Sequence, residues 1–158
     1  MIRIFNLTFL VFLFLITKAN SLIEIDITRG NLDPLPIAVS PLFQDDNSKK
    51  NSINELKLEN VGSEISSVVE NNLKTSGLFN PLSKEAFLQK PDIAHLKPRF
   101  EDWALIKAQA LITGKVTIEN KKLKVEFRLW DILAGREMMA LAFTTVPSNW
   151  RRVGHIIS

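Results

Sequence analysis

The stretch from Ala110 to Thr145 narrows most what this chain can fold into. ALITGKVTIEN (Ala110–Asn120), KLKVEFRLWD (Lys122–Asp131) and REMMALAFTT (Arg136–Thr145) are three strand-like runs in a row, separated only by ENKK and ILAG. Separations this short are tight hairpin turns, and Gly135 can take the positive φ that such a turn needs. A sheet built this way has a face that must be covered.

The rest of the chain offers the cover. In ENVGSEISSVVENNLKTSGLFNPL, the residues Val61, Ile65, Val68, Val69 and Leu73 fall on one helical stripe. Asn60 suits an N-cap and Gly77 a left-handed C-terminal cap, so the spacing predicts a helix over 61–75. Leu78, Phe79 and Leu82 then predict a short buried segment ending at Pro81 and Ser83. Lys84–Arg99 reads as loop with one helical piece, KEAFLQ. RFEDWALIKAQA places Phe100, Trp103 and Ile106, with Leu105, on a second helical face. Further upstream, LIEIDITRG (Leu22–Gly30) alternates, with Ile23, Ile25 and Ile27 on one face. PIAVSPLF (Pro36–Phe43) is a second apolar run bracketed by prolines. Gln44–Asn60 is rich in Asn, Lys and Ser and reads as a mobile surface loop. The order β-β-α-(β)-α-β-β-β-α defines the expected class: an α+β fold, a mixed sheet of about five strands with two or three helices packed on one face.

The first 21 residues stand apart. Arg3 precedes the nearly unbroken apolar run Ile4–Ile16, and small residues follow in TKANS. This is the layout of a secretory signal peptide, with cleavage expected between Ser21 and Leu22 and Ala19 at the −3 position. Cleavage after Ala19 is the second choice, and a retained anchor stays open. The apolar run falls short of the ~20 residues that a spanning helix needs. Loss of residues 1–21 takes away Arg3 and Lys18 and no acid, so the formal charge falls from +3 to +1. The remaining basic residues are scattered and make no case for nucleic acid. With no cysteine, an exported domain has no disulfide framework and depends on its core.

Catalytic and ligand motifs are missing from the sequence. TGKV lacks the upstream glycine and the following Ser or Thr of a phosphate loop. His95 and His155 lie far apart in sequence, and neither belongs to a zinc-type spacing. Adjacent Glu101 and Asp102 diverge on a helix and suit its first turn instead. The expectation is a non-enzyme with no metal and no cofactor. Trp103 reads as core. Trp130 suits either the second face of the sheet or a contact with another domain. Trp150, with Arg151 and Arg152, reads either as an exposed interdomain contact or as a helix start packed on the sheet.

Several segments in order carry a resemblance: IEIDIT and PIAVSPLF, NNLKTSGLFNPL, RFEDWALIKAQALITGKV, LKVEFRLWDILAGREM and TTVPSNWRRVGHIIS. Together they cover about Ile23 to Ser158, and the chain resembles the TolB amino-terminal domain family of the Tol–Pal system of Gram-negative bacteria. The polar loop Gln44–Asn60 looks longer than the family's glycine-rich connection. The resemblance implies a periplasmic adaptor that supports outer-membrane integrity and constriction during division. It implies that the mature N-terminus, Leu22, Ile23, Glu24, Ile25, Asp26, Ile27 and Thr28, binds TolA as an added strand. The alternative is that this segment is the first strand of the domain's own sheet. The resemblance also implies that the helix opening near Pro147 continues into a six-bladed propeller that binds Pal. The chain is therefore expected to be a fragment holding the TolA arm alone, with Pal and outer-membrane partners only where a propeller follows. No stable membrane insertion is expected after cleavage. A stand-alone envelope-binding module for a small ligand or the cell wall is the competing class.

Overall fold

The structure, a computed structural model, describes residues 33–158. The expected signal peptide and the alternating segment Leu22–Gly30 lie outside the described residues. Along the chain run β1 (Leu35–Val39), β2 (Phe43–Gln44), α1 (Asp46–Leu56), α2 (Val61–Thr75), β3 (Phe79–Pro81), α3 (Pro91–Ala94), α4 (Phe100–Leu105), β4 (Ala110–Glu119), β5 (Lys122–Asp131), β6 (Arg136–Thr145) and α5 (Trp150–Ile157). Single 3-10 turns stand at Lys84–Ala86 and Pro147–Asn149.

The three long strands form as their sequence dictates. β4 and β5 pair antiparallel from Ala110↔Asp131 to Glu119↔Lys122, leaving Asn120 and Lys121 as a two-residue turn. Both take positive φ, 50° and 56°, the backbone that matches the twist of the flanking strands. β5 and β6 pair antiparallel around a turn in which Gly135 has φ 64° and the Asp131 carboxylate accepts from Ala134 N at 2.9 Å. β1 lies parallel between β3 and β4, giving the order β3-β1-β4-β5-β6. The two-residue β2 pairs with β4 at Lys115 and Val116 and makes a sixth strand. The run Pro36–Phe43 is thus two strands, parted where Ser40–Pro41–Leu42 leaves the ladder.

α2 has the predicted limits. Asn60 caps it by accepting from Ser63 N at 3.0 Å, and Gly77 with φ 72° turns the chain out. Its stripe of Val61, Ile65, Val69 and Leu73 packs on Ile37, Val39, Ile112, Val116, Leu123 and Val125, joined by Trp150 and Val153 of α5. α5 sits close against α2, since a Cβ on Gly154 would meet Val68 Cγ1 at 2.8 Å. Asn72 Nδ2 lies 2.8 Å from His155 Nδ1 and donates to Ser158 Oγ at 2.7 Å.

The helices do not stay on one face. Ala38 and Leu111 point to the opposite side, where Ala94 of α3, Trp103 of α4, Ala108, Trp130 and Ile132 form a second core. α3 and α4 are short, and large aromatics do the covering. Trp103 Nε1 donates to Gln89 Oε1 at 2.8 Å, and Trp130 Nε1 donates to Thr113 Oγ1 at 2.8 Å, so both indoles are buried with their polar atoms paired. Trp103 is core, as expected, and Trp130 covers the second face. Leu105 and Leu78, expected on buried faces, are 74% and 62% exposed. α4 ends at Leu105, and Lys107 with φ 62° turns the chain back before a second helical turn can bury that side.

The largest departure is α1, which occupies the expected loop. It has no apolar stripe because it packs through polar side chains. Asp45 caps it, accepting from Ser48 N at 2.8 Å. Ser48 Oγ accepts from Ile118 N at 3.2 Å, and Asn51 Nδ2 donates to Ile118 O at 2.7 Å. Two side chains thus satisfy the backbone of β4 beyond the point where β2 stops pairing with it. Five helices result among the described residues, where two or three were expected.

Candidate interaction site

The residues expected to bind a partner divide into two groups. Leu22, Ile23, Glu24, Ile25, Asp26, Ile27 and Thr28, with the cleavage residues Ala19 and Ser21, lie outside the described residues. The chain enters the described part just ahead of β1, at the end of the sheet where β4 also begins. Trp150, Arg151 and Arg152 are described. Trp150 is 8% exposed and joins the main core, while both arginines face solvent. The Arg151 guanidinium lies over the Trp150 ring, 4.8 Å from its centroid, a cation–π contact. The three do not present one exposed cluster: the tryptophan anchors α5 and the arginines project from it.

The histidines sit in structural roles. His95 Nδ1 is 3.0 Å from Pro91 O, and its ring stacks on Phe43 at 4.5 Å between centroids. Among the described residues no three His, Cys, Asp or Glu side chains gather as a metal site. Among the described residues, Asp45 is the one acid with a clear shift. The Ser48 N–H directed at its carboxylate holds its pKa below the ordinary value, against desolvation, with help from the Ser48 hydroxyl and Lys115. That belongs to helix capping, not to proton transfer.

The surface feature that sequence reading did not single out is β6. It ends the sheet order, so one side of its backbone faces no strand among the described residues. None of its ten residues is buried, and Met138, Met139 and Leu141 are 59%, 47% and 47% exposed. Its only charges, Arg136 and Glu137, stand at its start. Edge strands in natural sheets are usually blunted by lysines, prolines or bulges; β6 carries no lysine and no proline, and its one such device is a bulge at Met138, where the register with β5 shifts between Leu129 and Trp130. The signal was in the sequence: REMMALAFTT is apolar on both of its alternating faces. The structure holds no helix among the described residues that is long and apolar enough to cross a membrane.

These elements define an α+β domain that presents a sheet edge and a helix-covered sheet. The chain belongs to the TolB amino-terminal domain family, whose profile matches residues 23–138. The family is non-catalytic, and the chain is a non-enzyme on that ground. It is 72% identical over 150 residues to the Tol-Pal system protein TolB of Pelagibacter ubique (strain HTCC1062), covering 95% of this chain and 34% of that relative. The chain thus spans about a third of the length of the relative it matches. Among solved structures, TolB from Acinetobacter baumannii superposes with a TM-score of 0.60 at 19% identity, over 79% of this chain and 26% of that one. Lipoprotein GNA1162 from Neisseria meningitidis follows at 0.51 and 17% identity, over 72% of this chain and 81% of that one. The structural likenesses speak for the fold.

Proposed function

We propose that this chain is the amino-terminal arm of a periplasmic Tol–Pal adaptor and that Leu22–Thr28 binds TolA as an added strand. The observation that carries the reading is the 72% identity, over 95% of the chain, to a Tol-Pal system protein TolB. The family profile begins at residue 23, so Ile23–Thr28 is part of the matched unit. Cleavage after Ser21 frees Leu22 as the new N-terminus. A free alternating segment carries unpaired backbone donors and acceptors, and Ile23, Ile25 and Ile27 give it one apolar face. Glu24 and Asp26 stay on the other face. The arm serves envelope integrity and constriction at division, and Pal engages only through a propeller following this domain. Arg151 and Arg152 are offered to such a following domain.

The test compares the exported protein with a version lacking Leu22–Thr28 for binding to the carboxy-terminal domain of TolA by surface plasmon resonance. Binding is expected to vanish on deletion, and Ile25→Asp is expected to weaken it at least about tenfold. Equal binding after deletion overturns the reading. In a pull-down, residues 22–158 are expected to capture TolA and leave Pal behind.

A further inference from the structure

A recess of about 350 Å³ opens where α2 begins, a size at the lower end of small-molecule pockets, which span roughly 300–1,000 Å³. Phe43, Gln44, Lys49, Asn60 and Lys90 line it. Three features meet there. The first is the N-terminus of α2, a 15-residue helix, whose start carries partial positive charge. The second is Gln44, only 2% exposed. Gly62 N donates to its Oε1 at 3.2 Å, which fixes the amide so that Nε2 is left as a donor. That Nε2 is buried and has no hydrogen-bond partner among the described residues. A buried donor without an acceptor is costly, and a ligand atom or a water can satisfy it. The third is the pair of lysines. Lys49 shares its charge with Asp46 at 3.1 Å, whereas no ion pair is formed by Lys90 among the described residues. Asp92, also on the lining, is the one acid there.

Among the lining side chains, Gln44 Nε2, Lys49 and Lys90 offer donors, and Asp92 is the one carboxylate. We propose that this recess binds a small molecule through a single anionic oxygen group, a carboxylate or a phosphate, held by Gln44 Nε2 and by Lys49 and Lys90. Gln44 supplies the fixed neutral donor, and the two lysines supply charge. Phe43 gives the rest of the ligand an apolar surface. Asp92 repels a second negative group, which limits the ligand to one. None of the lining residues belongs to Leu22–Thr28, so the proposal stands or falls independently of TolA binding.

The experiment uses the intact chain labelled with nitrogen-15. Sodium acetate and sodium phosphate are titrated separately, with ionic strength held constant by sodium chloride, while amide signals are followed by NMR. The Gln44 side-chain amide pair and the Gly62 backbone amide are expected to shift and saturate with at least one anion. Saturation by acetate alone assigns a carboxylate, and by phosphate alone a phosphate. Lys90→Glu and Gln44→Glu are each expected to weaken binding about tenfold or more. Lys90 is exposed, so Lys90→Glu decides the matter if Gln44→Glu does not fold. Shifts that follow total salt without saturating, or binding unchanged in Lys90→Glu, overturn the proposal.

Discussion

Single residues in this domain act through backbone geometry as much as through side-chain burial. Gly62 lies in the first turn of α2, where a helical Gly→Ala change ordinarily adds about 1 kcal/mol of stability. Here the added Cβ would stand 2.2 Å from Leu42 O, a backbone atom that cannot swing away. Gly62→Ala is therefore expected to destabilise by about 1–3 kcal/mol, read as a lower urea midpoint at unchanged slope. A gain in stability would show that the β1–β2 connection gives way freely. Asp45 makes a pH-dependent case. Its carboxyl is held below the ordinary value chiefly by Ser48 N–H. A depressed folded pKa means that its stabilisation is complete above the unfolded value, about 3.9, and disappears as pH falls through the lower folded value. Asn also caps helices well, so Asp45→Asn isolates the charge while Asp45→Ala removes the cap at a cost of about 1 kcal/mol. The stability gap between the natural protein and Asp45→Asn is expected to hold steady from about pH 5 upward and to close below about pH 4. Thermal melts across that range check it, and a gap that persists in acid excludes the carboxylate as its source.

At the scale of elements, what could be read from sequence was whatever announces itself by apolar spacing. α2 was legible to the residue because its stripe, its Asn60 cap and its Gly77 exit agree. The hairpins β4–β5 and β5–β6 were legible because short turns between long runs leave few alternatives. α1 was not, because its inward residues are Ser48 and Ser52, which no hydropathy pattern marks as buried. Its reason to exist lies in Ile118, whose backbone needs partners that sit 67 and 70 positions away in sequence. Only the tertiary arrangement reveals that need. The double substitution Ser48→Ala with Asn51→Ala is expected to cost about 2–4 kcal/mol, since both backbone groups of Ile118 lose partners on that side. Hydrogen exchange at Ile118 should speed up in the same variant; unchanged protection there would mean that α1 is only draped on the sheet. The second core was legible in part. Trp103 stood on a stripe, but the choice between cover and contact for Trp130 depended on Phe100, which meets it edge-on at 5.9 Å.

The described residues form a sheet with a larger core on one face and a smaller one on the other. Ile65 and Ile132 lie in different cores and share no side-chain cluster. Ile65→Val and Ile132→Val should each cost about 0.5–1.5 kcal/mol and sum in the double variant to within about 0.5 kcal/mol. A larger departure in denaturant melts would mean that the faces communicate through the sheet. The proposed TolA-binding segment was legible only as a resemblance: the alternation of Leu22–Thr28 is visible in sequence, but whether it pairs with its own sheet or with a partner depends on surfaces far from it in sequence. The placement of β1 has a mechanical consequence. The segment before Leu35 leads directly into a strand gripped on both sides, by β3 and by β4. A pull on the N-terminal segment would reach that strand before any other part of the described fold. To yield, the domain would have to break two parallel ladders at once and draw Ile37, Ala38 and Val39 out of both cores. Tension applied at the front of this chain is thus borne by the middle of its sheet, not peeled away from an edge.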